Sequence, residues 1–417
     1  MSIRCLPWGF GAVWFLFLLA CSPQPGELRV GLATERMPVP IGIGTVGYGG
    51  FGATDPSPFA ELYPATERVH GHPDFRVMAM SRGDGFEIIF VRTDTVGVFQ
   101  QLRQAVLIEL EQRTGRNLDS VLVMGATHTH SGPGRVIDRG GPYDLIADRF
   151  FPEFYERMVL AIADTVEAAI NDLQPARLGV LEASIPLAHE DRRCEDGLDY
   201  TNDNAPIVVV ERGGKIDGLM MAYAIHGTTL GIDARTLSQD VSGAIEHAVS
   251  LVFEHPVQVM MFNSWGGDVS PGNPEVDTGP GTTLPDGYLQ MDRIGAEVAK
   301  EVLTELDEVQ WLDAPDIWLQ THRVAIGRSV LGYDGDTFPF NDGAVYCSVN
   351  ENLLDCDPET DLREQKLDEL CLAFPQEYPA PKQTVFSSGR IGPLGLVTFP
   401  GEPGTLLAES VMDSIRQ

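Results

Sequence analysis

The chain has 417 residues, of which 43% are hydrophobic, so it can build the core of one large domain or of two to three smaller ones. Its 60 acidic residues against 29 basic residues give a formal net charge of −31 at pH 7. This charge argues against binding to the phosphate backbone of nucleic acids and suits a highly soluble, exported protein.

Residues 1–20 are predicted to be a signal peptide of the lipoprotein type. Arg4 is the only charge before an apolar run at 9–20, and this run is too short to span a bilayer comfortably. The run ends Leu-Leu-Ala-Cys, which resembles a bacterial lipobox and would make a lipidated Cys21 the first residue of the mature protein. We therefore expect an exported cell-envelope lipoprotein that Cys21 attaches to the membrane surface. The alternative is an uncleaved anchor helix.

Four further cysteines follow the ones in the leader and the lipobox. An even number in an exported protein is compatible with two disulfides, and the spacing leaves the three possible pairings open. Free thiols are the alternative. A thiolate metal site is not predicted, because the chain contains no C-x-x-C motif. The four are Cys194, Cys347, Cys356 and Cys371.

The hydrophobic periodicity predicts strands that alternate with helices, after a Pro/Gly-rich opening stretch at 37–58. In chain order we predict a strand at 86–91, a helix at 98–110 capped by Gly115, a strand at 120–124, a helix at 154–173, a hairpin of strands 207–210 and 219–224, a helix at 242–253, a strand at 257–262, a helix at 288–306, strands at 317–324 and 394–399, and a final helix from 403.

This alternation predicts an α/β fold, with a mixed, partly parallel sheet and helices on its faces. We expect residues 28–417 to form a single large catalytic domain. Residues 327–388 break the rhythm, which indicates a loop-rich insertion within it.

Polar motifs follow four of the apolar strands directly. The motif GATHTHSGPG carries His128 and His130, HGTT carries His226, NSWGGDVSPGN carries Ser270, and PGEP carries Glu402. In open α/β sheets, ligands bind beyond the carboxyl ends of the strands. Two imidazoles and a carboxylate form a common zinc set that leaves a position for water, so the pattern predicts a catalytic zinc site.

Each motif taken alone also has a purely structural interpretation. His226 fits a buried core histidine bonded to a carbonyl, Ser270 a helix cap, and Glu402 a first-turn acid favoured by the helix dipole. The occurrence of all four motifs at strand ends favours a common site.

The motifs THTHSGPG, HGTT, GDVSP and FPGEP, in this order and at this spread, resemble the neutral/alkaline non-lysosomal ceramidase family and its N-terminal catalytic domain. The stretch HPDFRVMAMSRGDGFEIIFVRTD resembles the family's early region. The resemblance implies that His128, His226 and Glu402 bind Zn²⁺, that His130 stabilises the tetrahedral intermediate, and that Ser270 is the essential serine.

Two further matches to the family are looser. Arg192, in the stretch HEDRR, is matched to an arginine that the family has between asparagine and serine residues, whereas here the neighbours are Asp191 and Arg193. Asp240 and Gly243 resemble a family S-x-D-x-x-G segment, which implies an orienting or capping role.

The family's fourth zinc ligand is a tyrosine several tens of residues beyond PGEP, followed by a C-terminal immunoglobulin-like domain. The sequence ends at Gln417, and neither feature is expected within it. The expectation is a three-ligand site, a substitute tyrosine such as Tyr48, or a chain that is incomplete at its C-terminus.

The resulting functional hypothesis is a zinc-dependent amidohydrolase that cleaves the N-acyl amide bond of ceramide-like lipids to a fatty acid and a sphingoid base. Ser270 is either the nucleophile or a proton relay. One alternative is a zinc esterase or amidase acting on a non-sphingolipid. The other is a catalytically inactive surface lipoprotein that binds a ligand or partner.

Overall fold

The computed structural model describes residues 26–48, 57–83, 85–138, 144–192, 201–274, 286–325, 347–349, 369–371 and 383–416. The predicted signal peptide and Cys21 lie outside these residues. Among the helices that are described, none combines the length and the hydrophobicity that a membrane crossing requires.

The first half of the chain forms a five-stranded sheet with strand order β5-β4-β3-β1-β6. The β4–β5 pair is parallel, because helix α1 crosses over between the two strands, and the other pairs are antiparallel. The strands of this half are β1 Leu28–Arg36, β2 Arg68–His70, β3 Asp74–Arg82, β4 Gly85–Thr93, β5 Leu122–Ala126 and β6 Gln174–Pro175, and the helices are α1 Gln100–Thr114, α2 Asp144–Ala147 and α3 Pro152–Asn171.

The middle of the chain forms a second five-stranded sheet with strand order β12-β10-β9-β7-β14. Here β10 and β12 are parallel and the other pairs are antiparallel. The strands are β7 Arg177–Ser184, β8 His189–Asp191, β9 Asn204–Arg212, β10 Lys215–Tyr223, β11 Thr236–Ser238, β12 Gln258–Asn263, β13 Val269–Pro271 and β14 Gln310–Trp311, and the helices are α4 Asp240–Ser250 and α5 Asp286–Glu305.

A three-stranded sheet of order β15-β18-β19 precedes the last helix. A separate pair, β16 and β17, sets the backbone of Cys347 opposite that of Cys371, while Cys194 and Cys356 lie outside the described residues. The elements are β15 Ile317–Ala325, β16 Cys347–Val349, β17 Glu369–Cys371, β18 Gln383–Ile391, β19 Leu394–Val397 and α6 Thr405–Arg416.

The two large sheets stack face to face, and helices cover their outer faces. On β3, Val77 packs toward α1 and α3, while its neighbour Met78 packs into the core between the sheets. On β9, Val209 packs toward α4 and α5, while Val208 enters the same inter-sheet core. Because successive side chains of a strand point to opposite faces, this alternation builds four layers: helix, sheet, sheet, helix.

The predicted fold class is confirmed, with two mixed sheets instead of one. Every predicted helix and strand is present, although the bounds shift by up to four residues. Gly213 and Gly214 form the predicted hairpin turn, with φ of 57° and 79° that suit glycine. Strand β18 occupies the end of the predicted insertion, and most of the remaining insertion lies outside the described residues.

Candidate metal centre

The turns that follow β5 and β10 are joined to each other. Thr129 forms a parallel bridge with Gly227, and the His130 amide donates to the Gly227 carbonyl at 2.9 Å. A side chain at Gly227 would place its Cβ 2.6 Å from the carbonyl oxygen of His128, so glycine permits this approach. The contact brings the ligand-bearing ends of the two sheets together.

Two histidine nitrogens and one carboxylate oxygen lie close to Nε2 of His128. The Nε2 atom of His128 lies 3.1 Å from Nε2 of His226, 3.2 Å from Nε2 of His130 and 3.1 Å from Oε1 of Glu402. Nitrogen and oxygen ligands about 2.0–2.1 Å from a tetrahedral zinc lie about 3.3 Å from one another. The spacing around His128 therefore fits a common metal ion, and the three histidines form a buried cluster that could hold one, with ligand atoms within 4.8 Å of one another.

Two of the histidines are oriented by backbone carbonyls. Nδ1 of His128 lies 2.6 Å from the Val96 oxygen, and Nδ1 of His226 lies 3.0 Å from the Gly266 oxygen. A carbonyl accepts only, so each Nδ1 carries the hydrogen and each Nε2 presents a lone pair. These lone pairs face each other and the Glu402 carboxylate, an arrangement that a cation stabilises.

The backbone of His128 has φ of +62°, the left-handed region that few non-glycine residues adopt. Such strain persists where the surrounding structure holds it, and it is concentrated at functional sites. Here the bond to Val96 and the bridge between the turns hold the residue in place.

His130 is held differently from the other two. Its Nδ1 is buried and has no hydrogen-bond partner among the described residues. Its ring contacts that of Tyr48 in a T-shaped arrangement, with ring centroids 5.1 Å apart, and a Cβ added at Gly47 would lie 2.4 Å from Nδ1. His130 therefore lacks the carbonyl contact that orients a metal-binding histidine, which separates it from His128 and His226.

Burial and neighbouring charges together set the ionisation of these groups. Burial, then the nearby charges of His128 and Arg192, lowers the pKa of His226 to about 4, and burial together with the other two histidines lowers the pKa of His130 to about 2. Partial burial acts to raise the pKa of Glu402, but the neighbouring histidines, His128 first among them, lower that pKa to about 2. At neutral pH these two imidazoles are neutral and the carboxylate is ionised, as metal ligands need to be.

Glu402 approaches from the loop between β19 and α6. This loop is tied to the GDVSP turn: the Gly267 amide donates to the Pro403 carbonyl at 3.2 Å. Asp268 caps α6, because its carboxylate accepts from the Thr405 amide at 2.7 Å and the Thr405 hydroxyl at 2.9 Å. Asp268 thus helps to position the loop that carries Glu402.

Ser270 and Arg192 are both positioned by the short strands β8 and β13. Ser270 lies in β13, and Arg192 directly follows β8. Ser270, in β13, pairs with Glu190 of β8, and the Arg192 amide donates to the Asp268 carbonyl at 3.1 Å. The Arg192 guanidinium donates to the Gly267 carbonyl, and its charge contributes to the lowered pKa values of His130 and His226. The structure thus brings all six predicted site residues to one region, where the turn before Ser270 contacts both His226 and the Glu402 loop.

Tyr48 is engaged elsewhere. Its hydroxyl donates to the carbonyl of Leu230, and burial, followed by the charge of Asp240, raises its pKa. A deprotonated tyrosine ligand is therefore disfavoured in this arrangement, although the ring contacts His130.

The residues that orient the ligands were not identified from the sequence. Val96 and Gly266 act through their backbone carbonyls. Every residue has such a carbonyl, so the residue type does not indicate this role. Asp268 caps α6 through a contact across 137 residues, which no local sequence pattern indicates.

The fold and the site define a mixed α/β protein with a candidate metal centre at converging strand ends. Residues 75–273 match the family described as neutral/alkaline non-lysosomal ceramidase, N-terminal. The neutral ceramidase of Pseudomonas aeruginosa is 25% identical over 276 residues, which cover 60% of this chain and 40% of the relative. Neutral ceramidase A of Dictyostelium discoideum is 25% identical over 219 residues, which cover 49% and 30%.

The crystal structure of the Pseudomonas aeruginosa neutral ceramidase matches the fold with a TM-score of 0.70 at 19% identity, over 90% of this chain and 62% of that one. A structure of a ceramidase complexed with C2 gives a TM-score of 0.68. These comparisons confirm the resemblance to the N-terminal domain of the neutral/alkaline non-lysosomal ceramidases that the sequence motifs predicted. It spans two-fifths or less of the length of the curated relatives it matches.

Proposed function

We propose that this chain is a zinc-dependent hydrolase that cleaves the N-acyl amide bond of ceramide-like lipids to a fatty acid and a sphingoid base. The observation that carries the proposal is that His226, His130 and Glu402 each place a ligand atom within 3.2 Å of Nε2 of His128, in a chain whose residues 75–273 match the ceramidase family. The choice of zinc rests on the ligand types, since two imidazoles and a carboxylate are a common catalytic zinc set.

His128, His226 and Glu402 would hold the ion, since the first two present oriented lone pairs and the third a charge. A zinc ion in such a site lowers the pKa of a bound water toward neutrality and polarises a carbonyl. A neutral His130 has a single N–H, and placing it on Nε2 aims it into the site, where it donates to the oxyanion of the tetrahedral intermediate.

Ser270 and Arg192 supply the remaining polar groups. Ser270 acts as the nucleophile or relays protons between the attacking group and the leaving amine. The positive charge of Arg192, close enough to lower the pKa of two histidines, favours the negative charge that develops on the substrate. The lipid nature of the substrate is inferred from the relatives, which are called neutral ceramidases.

The test combines metal analysis of purified protein with hydrolysis of a fluorescent N-acylsphingosine. Matched substrates that replace the sphingoid base with a simple alkylamine, or the amide with an ester, separate a ceramidase from an amidase or esterase. We expect near-stoichiometric zinc and turnover that prefers the sphingoid amide. Ser270→Ala should keep the metal and lose turnover. Wild-type protein without zinc and without turnover would contradict the enzyme and favour a binding lipoprotein.

We also propose that the protein is a cell-envelope lipoprotein attached through Cys21. The support is the apolar run at 9–20 followed by the lipobox-like sequence. In a bacterial host, radiolabelled palmitate should enter the wild-type membrane fraction, and Cys21→Ala should remove the label. An unlabelled wild-type protein would contradict the proposed lipid attachment at Cys21.

A further inference from the structure

We propose that Asp240 is a positioning residue that braces the two histidine-bearing turns against each other. The inference rests on the metal centre of the proposed function, and it assigns a specific task to a residue that contacts none of the metal-binding side chains directly.

Asp240 begins helix α4 with φ of +55° and is almost fully buried. Its Oδ1 atom accepts from the Thr229 amide at 3.1 Å, from the Thr229 hydroxyl, and from the Val241 amide at 2.7 Å. Thr229 belongs to the HGTT turn, so the first carboxylate oxygen fixes the turn that carries His226.

The second oxygen, Oδ2, spans both turns. It accepts from the Leu230 amide at 3.1 Å and from the Ser131 hydroxyl at 3.3 Å. Ser131 directly follows His130, so one carboxylate is bonded to the turn after each ligand-bearing strand. A side-chain amide in its place would offer one acceptor atom and would direct N–H groups at donors.

The carboxylate is also unusual in its charge environment. Among the described residues, no Lys or Arg lies within ion-pair distance of Asp240, whereas the buried Asp94 meets the guanidinium of Arg92 at 2.7 Å. A buried charge without a cation is costly unless several donors satisfy it. The five donors to Asp240 do so, and four of them come from the two turns.

Asp148 offers a matched control. It too is fully buried with a positive φ, of +62°, and its carboxylate accepts from the amides of Glu61, Leu62 and Arg149 at 2.7–3.0 Å. None of these donors belongs to a histidine-bearing turn. Replacement of Asp148 therefore removes a comparable set of bonds without touching the brace.

The experiment compares Asp240→Asn and Asp148→Asn in the mature chain. Zinc affinity is measured by competition with a chromophoric chelator, and Tm is measured on metal-free protein. We expect both variants to lower Tm, and only Asp240→Asn to weaken zinc binding, by about 10- to 100-fold, as is typical for groups that orient ligands. Ser131→Ala, which removes one donor and preserves the carboxylate, should give a smaller loss in the same direction.

Hydrogen exchange of metal-free protein tests the brace independently of zinc. Asp240→Asn should speed exchange of the amides at 127–131 and 226–231, and Asp148→Asn should leave both stretches unchanged. Unchanged exchange there, or an equal loss of zinc affinity in both variants, would overturn the proposal. Faster exchange at both turns in a protein that binds no zinc would support the brace and contradict the proposed function instead.

Discussion

The histidine side and the glutamate side of the candidate metal centre differ in their burial and in how directly hydrogen bonds hold them. The three histidines are at most 9% exposed, and the turns that carry them are bonded to each other and to Asp240. The side chain of Glu402 is 52% exposed. Its loop is held only indirectly, because Asp268 bonds to Thr405 at the start of α6 and not to Glu402 itself. We infer that the histidine side provides a preorganised platform, and that the glutamate side is where water and substrate gain access.

The largest expected effect comes from removing the central histidine of the platform. His128→Ala deletes the atom that lies within 3.2 Å of the other three, so zinc content should fall to background and turnover should be lost. Inductively coupled plasma mass spectrometry and the lipid assay measure the two losses. His255→Ala, on the Ile216 carbonyl, is the control and should retain both. A His128→Ala protein that keeps its zinc would show that the metal binds at a site other than the three histidines.

The pH dependence of the free energy of unfolding, measured on metal-free protein, should report the burial of His226. His226 takes up its proton near pH 6.5 when unfolded and near pH 4 when folded, so the unfolded state binds more protons between these values. The free energy of unfolding should therefore rise by up to about 3 kcal/mol from pH 4 to pH 6.5 through this group. Urea unfolding of wild type and His226→Gln isolates this contribution. Equal slopes in the two proteins would show that His226 is not desolvated.

Crowding His130 should separate catalysis from metal binding. Gly47→Ala places a methyl 2.4 Å from Nδ1 of His130 at a φ of +97°, so the ring must move. We expect kcat to fall about 100-fold, the scale of losing one oxyanion donor, while zinc content is retained. Titration with a chelator alongside steady-state kinetics makes the distinction. Loss of zinc in this variant would instead make His130 a third histidine ligand of the metal.

Uncapping α6 should give the smallest effect, because it acts on the exposed side. Asp268→Ala removes both bonds to Thr405, which should cost about 1 kcal/mol of stability and weaken zinc binding about 10-fold. Chemical denaturation and chelator competition test the two values. A loss as large as that of His128→Ala would erase the difference between the two sides.

Hydrophobic periodicity predicted the strands and helices that lead into the candidate site, and the structure brings the six residues singled out from the motifs to one region. Their roles in the site stay predictions. The division into two sheets was not predicted, because β1, β3 and β7 were missed. In β3, an apolar run of methionine, valine and alanine lacks the alternation that marks a half-buried strand, since both of its faces are covered.

Long-range polar contacts were equally inaccessible to sequence reasoning. The Thr229–Asp240 bonds are local, but the links from Asp240 to Ser131 and from Asp268 to Thr405 cross 109 and 137 residues. No pattern in the neighbourhood of an aspartate indicates a partner at that distance. The residue types at the centre were predictable, whereas the groups that hold them at the required spacing were not.

The bridge between Thr129 and Gly227 has a kinetic consequence. His128 and His226 are 98 residues apart, on different sheets, so their nitrogens meet only after both sheets have formed and docked. Closing such long loops slows folding, and contacts of this kind form late. Capture of the ion should therefore coincide with the last phase of refolding, and a zinc-sensitive dye in a stopped-flow experiment would register completion of the native state.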